Sequence, residues 1–120
     1  MKLLIVDDSM IMRRIIEREL DPNLFSSIES ASNGREALEK FQADPTDFVT
    51  MDLTMPEMDG LTCIEQLVRI KPDVNILVVS ALGDRSIAVE AVKRGAQGFL
   101  LKPFDAESLR TSIQEILEEE

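Results

Sequence analysis

Short apolar runs alternate along the chain with longer stretches in which apolar residues recur every three or four positions. The short runs predict β-strands, and the longer periodic stretches predict amphipathic helices. The predicted strands cover residues 3–6, 27–31, 48–51, 76–79 and 99–101. Strand–helix alternation repeated in this way predicts a parallel sheet joined by right-handed crossovers, with helices on both faces.

The polarity of each run indicates where its strand lies in the sheet. The first run, 3–6, and the fourth, 76–79, are apolar at every position. Continuous apolar runs are typical of central parallel strands, which are covered on both faces. The second run, Ser-Ile-Glu-Ser-Ala at 27–31, is mixed, so we expect it at an edge of the sheet.

Helix boundaries have their own signals. Ser9 precedes the first periodic stretch and is a suitable N-cap. Pro72 ends the third helix, and Gly95 suits the position just after the fourth. The fourth helix, rich in alanine, has a weak apolar face, as expected of an element held by few large contacts.

Composition limits the class of protein. The chain has 120 residues, of which 44% are hydrophobic and 30% charged, so we expect residues 1–120 to form one globular domain. A net charge of −10 argues against nucleic acid as a partner. No apolar run is long enough to cross a bilayer, and the chain starts directly on a strand without a signal peptide. We therefore expect a cytoplasmic protein that makes no membrane contact.

Two residue counts exclude whole classes of chemistry. The chain has no histidine, which excludes serine–histidine and cysteine–histidine catalysis and the commonest transition-metal ligand. Its single cysteine, Cys63, cannot form an internal disulfide and is best read as a small core residue in the third helix.

Polar side chains follow four of the predicted strands at their carboxyl ends. These residues are Asp7 and Asp8 after the first strand, Asp52 after the third, Ser80 after the fourth and Lys102 after the fifth. In a parallel sheet these ends meet at one edge, which is where such sheets bind ligands. Three carboxylates brought together repel one another unless a cation lies between them, and an all-oxygen site suits Mg²⁺.

Four segments carry a resemblance to a known family. LLIVDDS, TMDLTMPEMDG, VVSA and GFLLKPF contain these residues in the order and spacing of the receiver domain of bacterial two-component response regulators. The resemblance covers essentially the whole chain, and the DDSMIMRRII stretch is most similar to the stand-alone chemotaxis regulators of that family. It implies a doubly wound α/β fold, flavodoxin-like, with a five-stranded parallel sheet in the order 2-1-3-4-5 flanked by five helices.

The resemblance also implies roles for individual residues. Asp52 would accept a phosphoryl group from the phosphohistidine of a histidine kinase. Asp8, Asp52 and the backbone carbonyl of Thr54 would hold Mg²⁺ directly, and Asp7 would act mainly through water. Lys102 would pair with the phosphoryl oxygens.

A switch is implied as well. Ser80 would donate to a phosphoryl oxygen, and Phe99 would then turn inward to fill the space that Ser80 leaves. The family often has tyrosine at this position, so Phe99 removes a hydroxyl that a hydrogen-bonded switch would need. The Lys102–Pro103 bond is similar to one that is cis in receivers.

The implied output surface consists of the fourth helix, the fifth strand and the fifth helix. Through it the protein would control a downstream target, for which the flagellar motor switch is the natural candidate in chemotaxis. A receiver in a relay outside chemotaxis is the alternative. A histidine kinase and a phosphatase would be the other protein partners.

Two further interpretations fit the residues less well, and both leave Lys102 unexplained. An aspartate-nucleophile phosphatase would place a second acid two residues after Asp52, where this chain has Thr54. A flavin-binding domain would need a glycine- and hydroxyl-rich loop where this chain has Asp7 and Asp8. We therefore expect no organic cofactor and no enzymatic activity beyond intrinsic phosphotransfer and autodephosphorylation.

Overall fold

The computed structural model describes residues 1–119. Its strands are β1 (Lys2–Val6), β2 (Ser27–Ala31), β3 (Phe48–Met51), β4 (Asn75–Ser80) and β5 (Gly98–Leu101). Its helices are α1 (Met10–Glu19), α2 (Gly34–Ala43), α3 (Gly60–Ile70), α4 (Arg85–Arg94) and α5 (Ala106–Glu118). Every predicted strand is present, and each boundary lies within one residue of the prediction.

The strands form one parallel sheet in the order β2-β1-β3-β4-β5. This order confirms the expected fold, with β2 at one edge and β1 and β4 inside the sheet. The mixed composition of β2 fits its edge position, since only one side of an edge strand is paired and its outer positions meet water.

Two apolar layers enclose the sheet, because successive side chains of a strand point to opposite faces. In β1, Leu4 and Val6 pack with α2, α3 and α4, whereas Leu3 and Ile5 pack with α1 and α5. In α4 only Ala91 is buried, which confirms the weak apolar face predicted for that helix.

Side-chain caps fix the start of each helix and thereby the loops that precede them. The Ser9 hydroxyl accepts from the Met12 amide at 3.2 Å, as predicted, and Asp59 caps α3 by accepting from the Thr62 amide at 2.9 Å. Gly95 follows α4 with a φ of 124°, a conformation that favours glycine. Within the described part of the chain, no helix is both long and apolar enough to span a membrane.

One buried polar group is left unsatisfied inside the sheet. Thr50, in β3 between Ile5 and Leu77, is 1% exposed, and its hydroxyl has no hydrogen-bond partner among the described residues. By contrast, the buried Thr46 hydroxyl donates to the Phe48 carbonyl at 3.1 Å. A buried hydroxyl without a partner lowers stability because it has lost its bonds to water.

Replacing Thr50 with valine is therefore expected to raise the free energy of unfolding by about 1 kcal/mol. Replacing Thr46 with valine, which breaks a formed bond, is expected to lower it by about the same amount. Urea unfolding followed by circular dichroism measures both changes. A Thr50→Val variant less stable than the parent would show that the hydroxyl is satisfied in solution.

Candidate functional site

Three carboxylates converge at the carboxyl edge of the sheet. Asp7 and Asp8 directly follow β1, Asp52 directly follows β3, and one oxygen of each lies within 4.8 Å of the others. Two of these residues are buried, with 1% of Asp7 and 5% of Asp52 exposed, whereas Asp8 is open to solvent. The Asp52 amide donates to the Val6 carbonyl at 3.0 Å, so the β1–β3 ladder itself sets the spacing of the acids.

Lys102 brings a positive charge into this acidic cluster. Its ammonium lies 2.7 Å from Asp7 Oδ2 and 3.8 Å from Asp52 Oδ1, and its side chain is 16% exposed. The Lys102 amide donates to the Ser80 carbonyl at 2.8 Å, which extends the β4–β5 ladder and fixes where the side chain starts. The Lys102–Pro103 peptide bond is cis, as the resemblance implies.

The buried position of Asp52 shifts the pKa of its carboxyl. Burial raises the pKa of its carboxyl from 3.8 to about 6; Lys102 opposes this rise, while Asp7 and Asp8 add to it. The Thr54 amide donates to Asp52 Oδ1 at 3.4 Å. In the absence of a metal, the site thus holds more negative charge than its one lysine neutralises, which is the condition for binding a cation.

Ser80 ends β4 at the same edge and is fully buried. Its hydroxyl oxygen accepts from the Leu82 amide at 3.1 Å, which leaves its hydrogen available as a donor. The structure thus gathers Asp7, Asp8, Asp52 and Lys102 into one cluster. Ser80 lies at the end of the adjacent strand β4, and Thr54 lies in the loop after Asp52.

Comparison with known proteins shows which family has a similar sequence and fold. The response regulator receiver domain family matches residues 3–114. The chain belongs to this receiver family. It is similar to the chemotaxis protein CheY of Bacillus subtilis, at 40% identity over 97% of both chains, and to that of Thermotoga maritima, at 37% identity over 96% of both.

A solved structure is similar as well. A chain in the CheX–CheY–BeF3–Mg complex of Borrelia burgdorferi aligns with a TM-score of 0.90 at 30% identity, over 97% of this receiver and 88% of that chain. The receiver is therefore homologous to CheY proteins, which are response regulators in chemotaxis, and it belongs to a family of signalling modules.

The loop that follows Asp52 in the receiver is held by close backbone packing. An added Cβ at Gly60 would lie 2.5 Å from the Asp52 carbonyl oxygen, so only glycine lets α3 start this near the strand end. On the far side, a Cβ at Gly34 would lie 2.5 Å from the Met58 carbonyl oxygen. The backbone of the loop therefore packs closely at the starts of both α2 and α3.

Phe99 lies on β5 directly opposite Val78 of β4. It is partly exposed and packs against the apolar layer beneath α2, α3 and α4. Two residues further along β5, Leu101 is the register partner of Ser80. This placement is compatible with the predicted switch role.

The sequence analysis did not predict one contact of the site, a hydrogen bond from Arg13. The Arg13 guanidinium donates from Nη1 to the Asp7 backbone carbonyl at 2.6 Å. The available signal was its position in the first turns of α1, because helical side chains lean toward the N-terminus and thus toward the strand end.

Proposed function

We propose that this receiver is a response regulator that accepts a phosphoryl group on Asp52 from the phosphohistidine of a histidine kinase. One observation carries the proposal: a buried carboxylate with a raised pKa lies within 4.8 Å of two further carboxylates and 3.8 Å from a lysine ammonium. Such a site concentrates negative charge and offers one nucleophile. The similarity to chemotaxis CheY proteins supports a role in chemotaxis rather than in another relay.

The residues present fit a magnesium ion. Every donor in the acidic cluster is a carboxylate oxygen, and hard divalent cations prefer oxygen ligands. We propose that Asp8, Asp52 and the Thr54 carbonyl hold Mg²⁺, with Asp7 contributing through water. The bound ion would neutralise charge that develops on the transferred phosphoryl group.

The chain's own residues define the transfer step. A carboxylate oxygen of Asp52 forms a bond to phosphorus as the donor's phosphorus–nitrogen bond breaks. The electron pair of that bond returns to the donor's imidazole. Lys102 stabilises the negative charge on the phosphoryl oxygens from its place beside Asp7 and Asp52. The product is an acyl phosphate.

The same geometry suggests how phosphorylation of Asp52 would change the conformation of neighbouring residues. Phosphorylation replaces the single carboxylate charge of Asp52 with a phosphoryl group that carries about −1.5 to −2 charges and strong acceptor oxygens. Ser80, whose hydroxyl hydrogen is available, ends the adjacent strand β4. We propose that Ser80 donates to the phosphoryl group and that Phe99 then packs more deeply. Because Phe99 has no hydroxyl, its switch rests on packing alone.

The output surface is proposed to be α4, β5 and α5. Three apolar side chains on α4 and β5 are open to solvent, namely Val89, Val92 and Leu101, each at least 46% exposed. Exposed apolar side chains such as these are available for contact with a partner protein. A downstream target protein, in chemotaxis the flagellar motor switch, would bind here. The complex of CheX with a CheY relative supports a further partner, which we propose acts as a phosphatase.

Phosphoryl uptake tests this proposal. Incubation with acetyl phosphate in the presence of Mg²⁺ is expected to form the acyl phosphate, and uptake is expected to stop when EDTA removes the ion, because the acidic cluster would then repel the anionic donor. Separation of phosphorylated and unphosphorylated protein on a phosphate-affinity gel measures the yield. Equal uptake with and without the metal would contradict a magnesium-dependent site.

A further inference from the structure

Asp7 has all its polar groups engaged. Its amide donates to the Ala31 carbonyl at 3.1 Å, and its carboxylate accepts from the Ser9 amide at 2.9 Å and from Lys102 at 2.7 Å. The fourth contact is the 2.6 Å bond from Arg13 to its backbone carbonyl. Asp7 is therefore held from the sheet, from the loop, from β5 and from α1.

The Arg13 contact acts on the peptide bond that leads to Asp8. The Asp7 carbonyl and the Asp8 amide belong to one planar group, so an atom that fixes the carbonyl also fixes the direction in which Asp8 leaves the strand. A hydrogen bond from a charged guanidinium is about twice as strong as one between neutral groups. Arg13 can make it because its side chain leans back from the second turn of α1.

Asp8 depends on this backbone support. It is exposed, and its side chain makes no hydrogen bond or ion pair with any other residue in the range 1–119. Its carboxylate nonetheless lies within 4.8 Å of those of Asp7 and Asp52. The backbone alone keeps Asp8 in the cluster, and two side chains hold that backbone. Arg13 donates to the Asp7 carbonyl on one side of Asp8, and the Asp7 carboxylate accepts from the Ser9 amide on the other.

We propose that Arg13 is a positioning residue for the metal site. It orients the Asp7–Asp8 peptide so that the Asp8 carboxylate faces Asp52, and it thereby raises the affinity of the acidic cluster for a divalent cation. This inference rests on the proposed function, because it assumes that the cluster binds Mg²⁺.

The effect of charge alone has the opposite sign, which makes the proposal testable. Arg13 is positive, so its removal makes the cluster more attractive to a cation if nothing else changes. Loss of support for Asp8 instead weakens binding. Outer groups that orient metal ligands typically contribute about 10-fold or more to metal affinity, so we expect positioning to dominate.

The experiment is calorimetric titration of Mg²⁺ into the unphosphorylated parent protein and into Arg13→Met, Arg14→Met and Arg13→Lys. Arg14 is the matched control: it is the next residue of α1, it is exposed, and its side chain makes no hydrogen bond or ion pair within residues 1–119. We expect affinity to fall about 10-fold in Arg13→Met, to stay the same or rise slightly in Arg14→Met, and to return toward the parent value in Arg13→Lys.

A second readout reports the position of Asp8 directly. The ¹⁵N–¹H signal of the Asp8 amide is expected to move in Arg13→Met and to stay in place in Arg14→Met. A parent protein that binds no Mg²⁺ would overturn the proposed function itself. A parent that binds while Arg13→Met binds equally well or more tightly would overturn only the role of Arg13.

Discussion

Replacing Lys102 with methionine is expected to slow phosphoryl uptake by about 100-fold, because removal of one preorganised electrostatic group commonly costs about that much. Two effects act in the same direction. Lys102 lies 3.8 Å from Asp52 Oδ1 and is the one basic side chain with an ion pair in the acidic cluster within residues 1–119. Without it, the phosphoryl oxygens lose their cation, and the pKa of Asp52 rises further, so less of the nucleophile is ionised at neutral pH.

The same substitution is expected to strengthen Mg²⁺ binding by a few-fold, since a positive charge leaves a cation site. Slower transfer with tighter metal binding separates a role in transfer from a role in folding. Lys71→Met is the matched control, because Lys71 pairs with Asp47 at 2.9 Å, outside the acidic cluster. The rate of acyl phosphate formation, followed by intact mass over time, measures the effect. Equal rates for the parent and Lys102→Met would show that Lys102 takes no part in the transfer.

Replacing Asp52 with asparagine is expected to raise the stability of the metal-free protein near pH 7.5 by on the order of 2 kcal/mol, after part of the electrostatic effect is lost to solvent screening. The cause is the pKa of Asp52, which burial raises from 3.8 to about 6. Above that value the folded state must hold a buried charge beside two other carboxylates. Asparagine keeps the shape of the side chain and removes the charge.

The pH dependence has a defined sign. Between 3.8 and about 6 the folded protein binds a proton at Asp52 that the unfolded protein does not bind. The contribution of Asp52 to stability therefore improves as the pH falls from 7.5 through 6, and the advantage of Asp52→Asn disappears by about pH 4. Urea unfolding in EDTA across this range measures the difference between the two proteins.

Asp47 provides a control of opposite sign. Its pKa is lowered by the Lys2 amide and by Lys71, so its charged form stabilises the fold. Asp47→Asn is expected to lower stability at neutral pH, with the loss shrinking as the pH falls below the ordinary value of 3.8. An Asp52→Asn variant that is less stable than the parent at pH 7.5 would contradict the electrostatic description of the site.

The sheet could be predicted from the sequence because four of its five strands are short, mostly apolar runs. The run from Phe48 to Met51 is buried at every position, and its bounds match the prediction. The topology required the family resemblance, since periodicity alone does not order five strands. The grouping of Asp7, Asp52 and Lys102 could also be predicted, because the carboxyl ends of parallel strands share one edge.

The contacts within that group could not be predicted. Lys102 lies closer to Asp7 than to Asp52, and the Ser80 hydroxyl accepts from Leu82. The Lys102 contacts depend on packing between residues that are far apart in the chain, and the Ser80 contact depends on the conformation of the turn that follows β4. The Arg13 contact was missed for a related reason: its partner is a backbone carbonyl, and no pattern of residue types marks which carbonyl an arginine will reach.

The role of Asp52 as phosphoacceptor is tested most directly by intact mass after incubation with acetyl phosphate and Mg²⁺, with Asp52→Asn treated in parallel. We expect a gain of one phosphoryl group in the parent, its loss on treatment with hydroxylamine as is typical of an acyl phosphate, and no gain in the variant. Peptide mapping would place the group on Asp52. A gain that persists in Asp52→Asn, or no gain in the parent at any concentration of Mg²⁺, would contradict the proposal that Asp52 is the phosphoacceptor.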